Sequence, residues 1–138
     1  MKMTRQAAVE LRNVPVFSGL SRRALALADS LVTPVSFADG DVLCQEDHLG
    51  RQAFIITKGS AAVSRGDEFI ATVGAGDVVG EMALLGDGRR TASVTALEPV
   101  EALVMSAQEF ASVRSLPGVD AELHRIAGLR EQQLSTAA

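Results

Sequence analysis

Within the fourteen residues GEMALLGDGRRTAS, Gly80 to Ser93, the chain places an acid at Glu81, an arginine pair at Arg89 and Arg90, a hydroxyl at Thr91 and three glycines. The stretch adjoins strongly apolar sequence, so its polar groups need either a structural partner or a ligand. Gly80 ends a strand-like run, and Glu81 to Leu85 have the length of one helical turn, whose first amides would be unpaired donors that favour an anion. Gly80 has no side chain to block close approach of another group, while Met82, Ala83 and Leu84 anchor the turn in the core. Arg90 follows Glu81 by nine residues, after Gly86-Asp87-Gly88 allows the chain to reverse, so the two ends of the loop can meet. In that arrangement Arg90 offers a planar fork of donors to a phosphate, Thr91 adds a hydroxyl, and Glu81 is left as an acceptor for a sugar hydroxyl. The residues thus describe a pocket for a nucleotide with a single phosphate charge. They equally describe an internal Glu81–Arg90 salt bridge closing a loop.

Other glycine-based phosphate sites fit poorly. GAGDVVG, Gly74 to Gly80, is close to G-x-G-x-x-G but has valine at position 79 and lies outside any βαβ pattern. Neither lysine, Lys2 or Lys58, stands in a P-loop. Gly40, Gly59 and Gly66 read as tight turns with positive φ.

Composition narrows the partners. With 13 basic and 17 acidic residues the net charge is −4, which argues against nucleic acid as a partner. The single cysteine, Cys44, has no partner within the chain for a disulfide and sits among apolar residues, as in a reduced, cytoplasmic protein. His48 and His124 are far apart and match no metal-ligand spacing. No apolar run has the ~18 to 20 residues of a membrane span, and the N-terminus lacks a signal-peptide core. Nothing forms a catalytic arrangement: there is no nucleophile with a histidine partner and no metal set, so the chain does not read as an enzyme.

The elements that must position the cluster follow from periodicity, and residues 1–138 have the length of one domain. Residues about 4 to 33 read as helical, with QAAVELRNV one short amphipathic segment and SRRALALADSLV a second, N-capped by Ser21. From about 35 to 105, glycines separate short runs such as AFIIT, AAVS, FIATV, ASVTA and EALVM, the texture of a β-sandwich or barrel. Helices return over about 106 to 135: Ser106 and Glu109 stand in the relation of a capping box, Leu116-Pro117-Gly118 breaks the chain, and Asp120 reads as the cap of a last helix. The fold class is therefore α+β, an antiparallel jelly-roll-like β-roll flanked by N-terminal helices and a C-terminal lid helix.

Taken together, these residues resemble the cyclic nucleotide-binding domain family, whose phosphate-binding cassette is similar to Gly80-Glu81-Met82-Ala83-Leu84-Leu85, a short turn, then Arg90-Thr91-Ala92. Phe37-x-x-Gly40-Asp41-x-Leu43, Phe54-Ile55-Ile56-x-x-Gly59 and Val73-x-x-Gly76-Asp77-x-x-Gly80-Glu81 extend the similarity, which covers essentially residues 14 to 130. The resemblance implies that Arg90 neutralises the cyclic phosphate, with Thr91 and Ala92 adding a hydroxyl and an amide. It implies that Gly80, Met82 and Ala83 line the ribose-phosphate side, that Glu81 accepts from the ribose 2′-OH and that Val63 flanks the purine. Arg125 or Ile126 of the lid helix would lie over the base. One departure falls at QEDHLG, Gln45 to Gly50, where Asp47 and His48 stand in the places of the family's Gly-Glu. That Glu often supports the cassette arginine, and Glu46 or Asp47 is the expected substitute.

The implied function is a cyclic-nucleotide sensor without other cofactor, for cAMP with cGMP open, coupling occupancy to movement of its C-terminal helix. A different class of reading is a docking module that keeps the fold without ligand; a third, haem held through His48, rests on one residue. REQQLSTAA is too short for a helix-turn-helix pair, so the chain reads as a stand-alone sensor or a regulatory part of a larger parent protein acting on an effector. The sequence leaves the oligomeric state open.

Overall fold

The computed structural model describes residues 2–3, 11, 13–80 and 89–125. Its strands are β1 (Lys2–Met3), β2 (Thr33–Phe37), β3 (Val42–Cys44), β4 (Gln52–Lys58), β5 (Ser60–Arg65), β6 (Glu68–Gly74), β7 (Val78–Val79), β8 (Ser93–Ala96) and β9 (Val100–Ser106). A 3-10 turn at Pro15–Phe17 and the helix α1 (Arg22–Ser30) precede the roll; α2 (Ala107–Arg114) and a helical segment at 119–125 follow it.

Two antiparallel sheets face each other, one of five strands in the order β1-β2-β9-β4-β7 and one of four in the order β3-β8-β5-β6. The first sheet is covered on its other side by helices, so β4 and β9 are buried on both faces, and the alternation of strand side chains divides each between two cores. Ile55, Leu103 and Met105 pack with Phe17, Leu25, Phe110 and Val113 beneath the helices, whereas Phe54, Ile56 and Ala102 pack with Val63, Val73 and Val94 inside the roll. Within the roll Phe37 and Phe54 meet edge to face, with centroids 5.6 Å apart. These two-sided strands are the near-continuous apolar runs AFII and ALVM of the sequence.

Helix ends follow their caps. The Ser21 hydroxyl accepts from the Ala24 amide at 3.1 Å, and Ser106 and Glu109 form both halves of the capping box. Gly40, Gly59 and Gly66 have φ of 88°, 94° and 61°, as the turn reading requires.

Three expectations need correction. Helix does not continue to 33: α1 ends at Ser30, and Thr33 and Pro34 already belong to β2, paired with Val104 and Leu103. Pro34 is tolerated in the strand because β1 reaches only Val35 and Ser36 beside it. β1 itself, two residues with no readable periodicity, was not foreseen. Asp120 is not a cap, because helix begins at 119 after Gly118 (φ 82°), whose carbonyl accepts from the Glu122 amide. Inside the first turn, its carboxylate accepts from Arg114 Nε at 2.6 Å. The first amphipathic segment lies largely outside the described residues.

Candidate functional site

β7 pairs antiparallel with β4, Val79 opposite Phe54, and this register carries Gly80 to the side of Gln52 at the beginning of β4. Arg90 reaches the same place from the opposite direction, three residues before β8 starts at Ser93. Its backbone is fixed first. The Asp47 amide donates to the Arg90 carbonyl at 3.0 Å and the Arg90 amide to the His48 carbonyl at 2.9 Å, while Leu49 and Arg89 form a bridge, so the turn after β3 prolongs the β3–β8 ladder. Arg89 strengthens the clasp by donating from Nη1 to the Asp47 carbonyl at 2.8 Å.

The Arg90 side chain then turns inward. It is 8% exposed, the one buried charged residue among those described. Nη1 donates to the Gly80 carbonyl and Nη2 to the Gln52 carbonyl, each at 2.9 Å. Two parallel bonds to neighbouring strands set the plane of the guanidinium. Both acceptors are neutral carbonyls, and among the described residues no carboxylate forms an ion pair with Arg90. A buried cation whose described partners supply only dipoles favours an anion at its remaining donors.

The turn at Gln45–Gly50 clarifies the departure noted in the sequence. Asp47 has φ 66°, so it adopts the left-handed conformation that glycine enters most freely and that Asp tolerates better than most residues. Glu46 is not the substitute support for the cassette arginine. Its carboxylate accepts from the Gly66 amide at 2.7 Å and its own amide donates to Ser93 Oγ, tying the turn to the β5–β6 hairpin. Asp47 meets Arg90 through its backbone amide.

The remaining sequence-derived site residues divide by location. Thr91 is exposed directly after the arginine, while Ala92 and Val63 are buried in the core of the roll, Val63 paired with Val94 of β8. Gly80 has φ 87°, and a Cβ there would run into Arg90 Nη1 and stand 2.8 Å from the Gln52 carbonyl. The left-handed backbone and the close approach of the Gln52 carbonyl already require that glycine, and the protein's own guanidinium fills the space beside it. Arg125 is exposed and paired with Glu122 at 2.9 Å; this partner raises its pKa through a hydrogen bond and charge attraction. Glu81, Met82, Ala83 and Ile126 lie outside the described residues. Sequence reasoning missed Gln52, which acts through a backbone carbonyl that its side chain does not advertise, and Gly50, which looked like another turn residue.

Comparisons with known proteins identify the family and the fold. The family model described as cyclic nucleotide-binding domain matches residues 34–115. The chain is 32% identical over 100 residues to a cAMP-dependent protein kinase regulatory subunit of Hypocrea atroviridis, covering 72% of this chain and 22% of that protein. It is 30% identical over 133 residues to the Cyclic AMP receptor protein of Thermus thermophilus, covering 92% and 60%. The chain thus spans less than two thirds of the length of either relative. In fold it is similar to cAMP-bound PfPKA-R (141–441), with a TM-score of 0.86 at 22% identity, over 94% of this chain and 45% of that one. Among the described residues no helix is long and apolar enough to cross a membrane. Because the family model matches more than half of the chain, from within β2 through α2, the chain belongs to the cyclic nucleotide-binding domain family.

Proposed function

We propose that residues 1–138 form a single cyclic-nucleotide sensor domain whose ligand is cAMP, with cGMP the alternative. The observation that carries this reading is the buried Arg90, aimed by two carbonyls and lacking a described counter-charge. Its free donors receive the cyclic phosphate, joined by the Thr91 hydroxyl and the Ala92 amide. Gly80, Met82 and Ala83 line the ribose-phosphate, Glu81 accepts from the 2′-OH, and Val63 flanks the purine from the roll. The base packs on aliphatic surface, since the chain contains no Trp or Tyr. The terminal helix closes over it through Arg125 or Ile126, and ligand moves that helix in proportion to the affinity difference between open and closed states. The module binds rather than transforms its ligand, acts in the cytoplasm, and reports to an effector protein or to further parts of a longer parent chain.

Calorimetric titration with cAMP and cGMP, on the wild type and on Arg90→Ala, tests the reading. Saturable binding that is lost in the variant supports it. A second reading, a docking module without nucleotide, is favoured by His48 standing where relatives carry an acid. Absence of heat with both nucleotides, from folded protein, would favour that alternative.

A further inference from the structure

Gly50 lies directly against the Arg90 side chain. A Cβ built on Gly50 would lie 2.6 Å from both Cζ and Nε of Arg90 and 2.8 Å from Nη1, and these are its three nearest atoms. Such distances are shorter than any van der Waals contact, so Arg90 occupies the volume that every other residue type would fill at position 50. The conformation of Gly50 is not the reason for the glycine, because its φ lies outside the left-handed region. Gly80 differs, since its φ of 87° and the nearby Gln52 carbonyl would obstruct a side chain for reasons unrelated to Arg90.

We propose that Gly50 is a positioning residue for nucleotide binding: its bare backbone is the floor on which the Arg90 guanidinium rests while the Gln52 and Gly80 carbonyls hold its edge. Resting on the reading of Arg90 as the phosphate ligand, this assigns to the Gln45–Gly50 turn a second task besides clasping the Arg90 backbone. A methyl group at position 50 displaces the guanidinium from its floor. The two carbonyl bonds then lengthen or break, and the fork no longer faces the phosphate. Because Ala is compatible with the backbone at this position, the effect runs through Arg90 alone.

A double-mutant cycle tests this with Gly50→Ala, Arg90→Ala and the double variant, each measured for thermal unfolding without ligand and for cAMP binding. Gly50→Ala alone is expected to weaken cAMP on the order of tenfold or more, the value of a charged hydrogen bond, and to lower the unfolding temperature. In the Arg90→Ala background, where the space is vacated, adding Gly50→Ala should leave the unfolding temperature unchanged. If Gly50→Ala does not fold while the double variant does, the coupling is likewise established. Equal destabilisation in both backgrounds, or failure of both variants to fold, would overturn the proposal. So would unaltered cAMP affinity in Gly50→Ala, or a cycle with no shift anywhere. Should the wild type bind no cyclic nucleotide, the sensor reading and the positioning role fall together, while the unfolding cycle still reports whether Gly50 and Arg90 share one volume.

Discussion

Arg90 and Arg114 are both arginines held by oxygen acceptors, and they are held in opposite ways. Arg90 is buried, its acceptors are backbone carbonyls of β4 and of the residue after β7, and the glycines at 50 and 80 leave the space that its guanidinium fills. Arg114 ends α2, and its acceptor is the carboxylate of Asp120 across the Ser115–Gly118 elbow, with the two side chains 35% and 47% exposed. His124 adds its Nδ1 at 3.5 Å from the same carboxylate. The first arrangement cannot change without moving strands. The second can open by rotating two side chains into water. A sensor requires this contrast, because the recognition group must be preorganised while the transmitting helix must exchange between positions at low cost.

The largest effect should come from the rigid side. On the proposed reading, Arg90→Ala leaves the phosphate uncompensated in a buried setting, and affinity should fall by roughly two to four decades. Arg90→Lys sharpens the comparison. An ammonium keeps the charge but cannot place a planar fork on the Gln52 and Gly80 carbonyls while facing an anion, so the loss should exceed about tenfold. Recovery of wild-type affinity in the lysine variant would show that charge alone suffices and that the carbonyl cradle is incidental.

Next in size is Glu81→Gln, which on the proposed reading weakens one charged hydrogen bond to the ribose. An effect of roughly ten- to a hundredfold is expected with cAMP. With 2′-deoxy-cAMP, which lacks the hydroxyl, the same substitution should cost almost nothing. Equal losses with both nucleotides would remove Glu81 from the ribose.

The rigid region was also the more legible in sequence, though only in part. Turn glycines and period-2 runs are strong local signals, so the roll and the two caps at Ser21 and Ser106 could be read directly. That Arg90 returns to Gly80 was recognisable, because the charged and hydroxyl residues of this stretch differ chemically from their apolar surroundings, while residues 81–88 between them lie outside the described residues. The cradle was not recognisable, because carbonyl oxygens are common to all residues and only the β4–β7 register chooses those of Gln52 and Gly80. Gly50 stayed hidden for a related reason: sequence cannot distinguish a glycine needed for its conformation from one needed for its missing Cβ. At the elbow, Asp120 has the chemistry of a cap, but the helix begins at 119, straight after Gly118 and two residues too early for it to serve as one.

Asp120→Asn tests the elbow. Exposed ion pairs contribute below about 1 kcal/mol, so the unfolding temperature should drop by no more than about 4 °C. The informative quantity is how far cAMP shifts the C-terminal helix, followed by a spin or fluorescent label at the C-terminus. Weakening the Arg114–Asp120 contact should change the label signal of the ligand-free protein while leaving cAMP affinity within a few-fold of wild type. A loss of affinity comparable to that of Arg90→Lys would mean that the elbow belongs to the recognition site and that the two regions are not separate devices.

The smallest effect is expected at Arg125. Its guanidinium is exposed, and the Glu122 hydrogen bond, then the Glu122 charge, hold its pKa above the usual arginine range. While the Glu122 carboxylate is charged, a raised pKa makes this contribution complete below the ordinary arginine value and removes it only as pH climbs through the elevated one. Stability should therefore show no Arg125-dependent change between about pH 6 and 10. Arg125→Ala should leave the unfolding temperature unaltered and change cAMP affinity less than about threefold, because any contact over the base must first replace the solvated Glu122 pair. Ile126→Ala provides the comparison: an aliphatic lid over the purine loses apolar contact with no ion pair to forfeit, so it should accelerate cAMP dissociation more than Arg125→Ala does. The reverse order, read by stopped-flow release of a fluorescent cAMP analogue, would assign the lid to the guanidinium and require it to leave Glu122 when ligand binds.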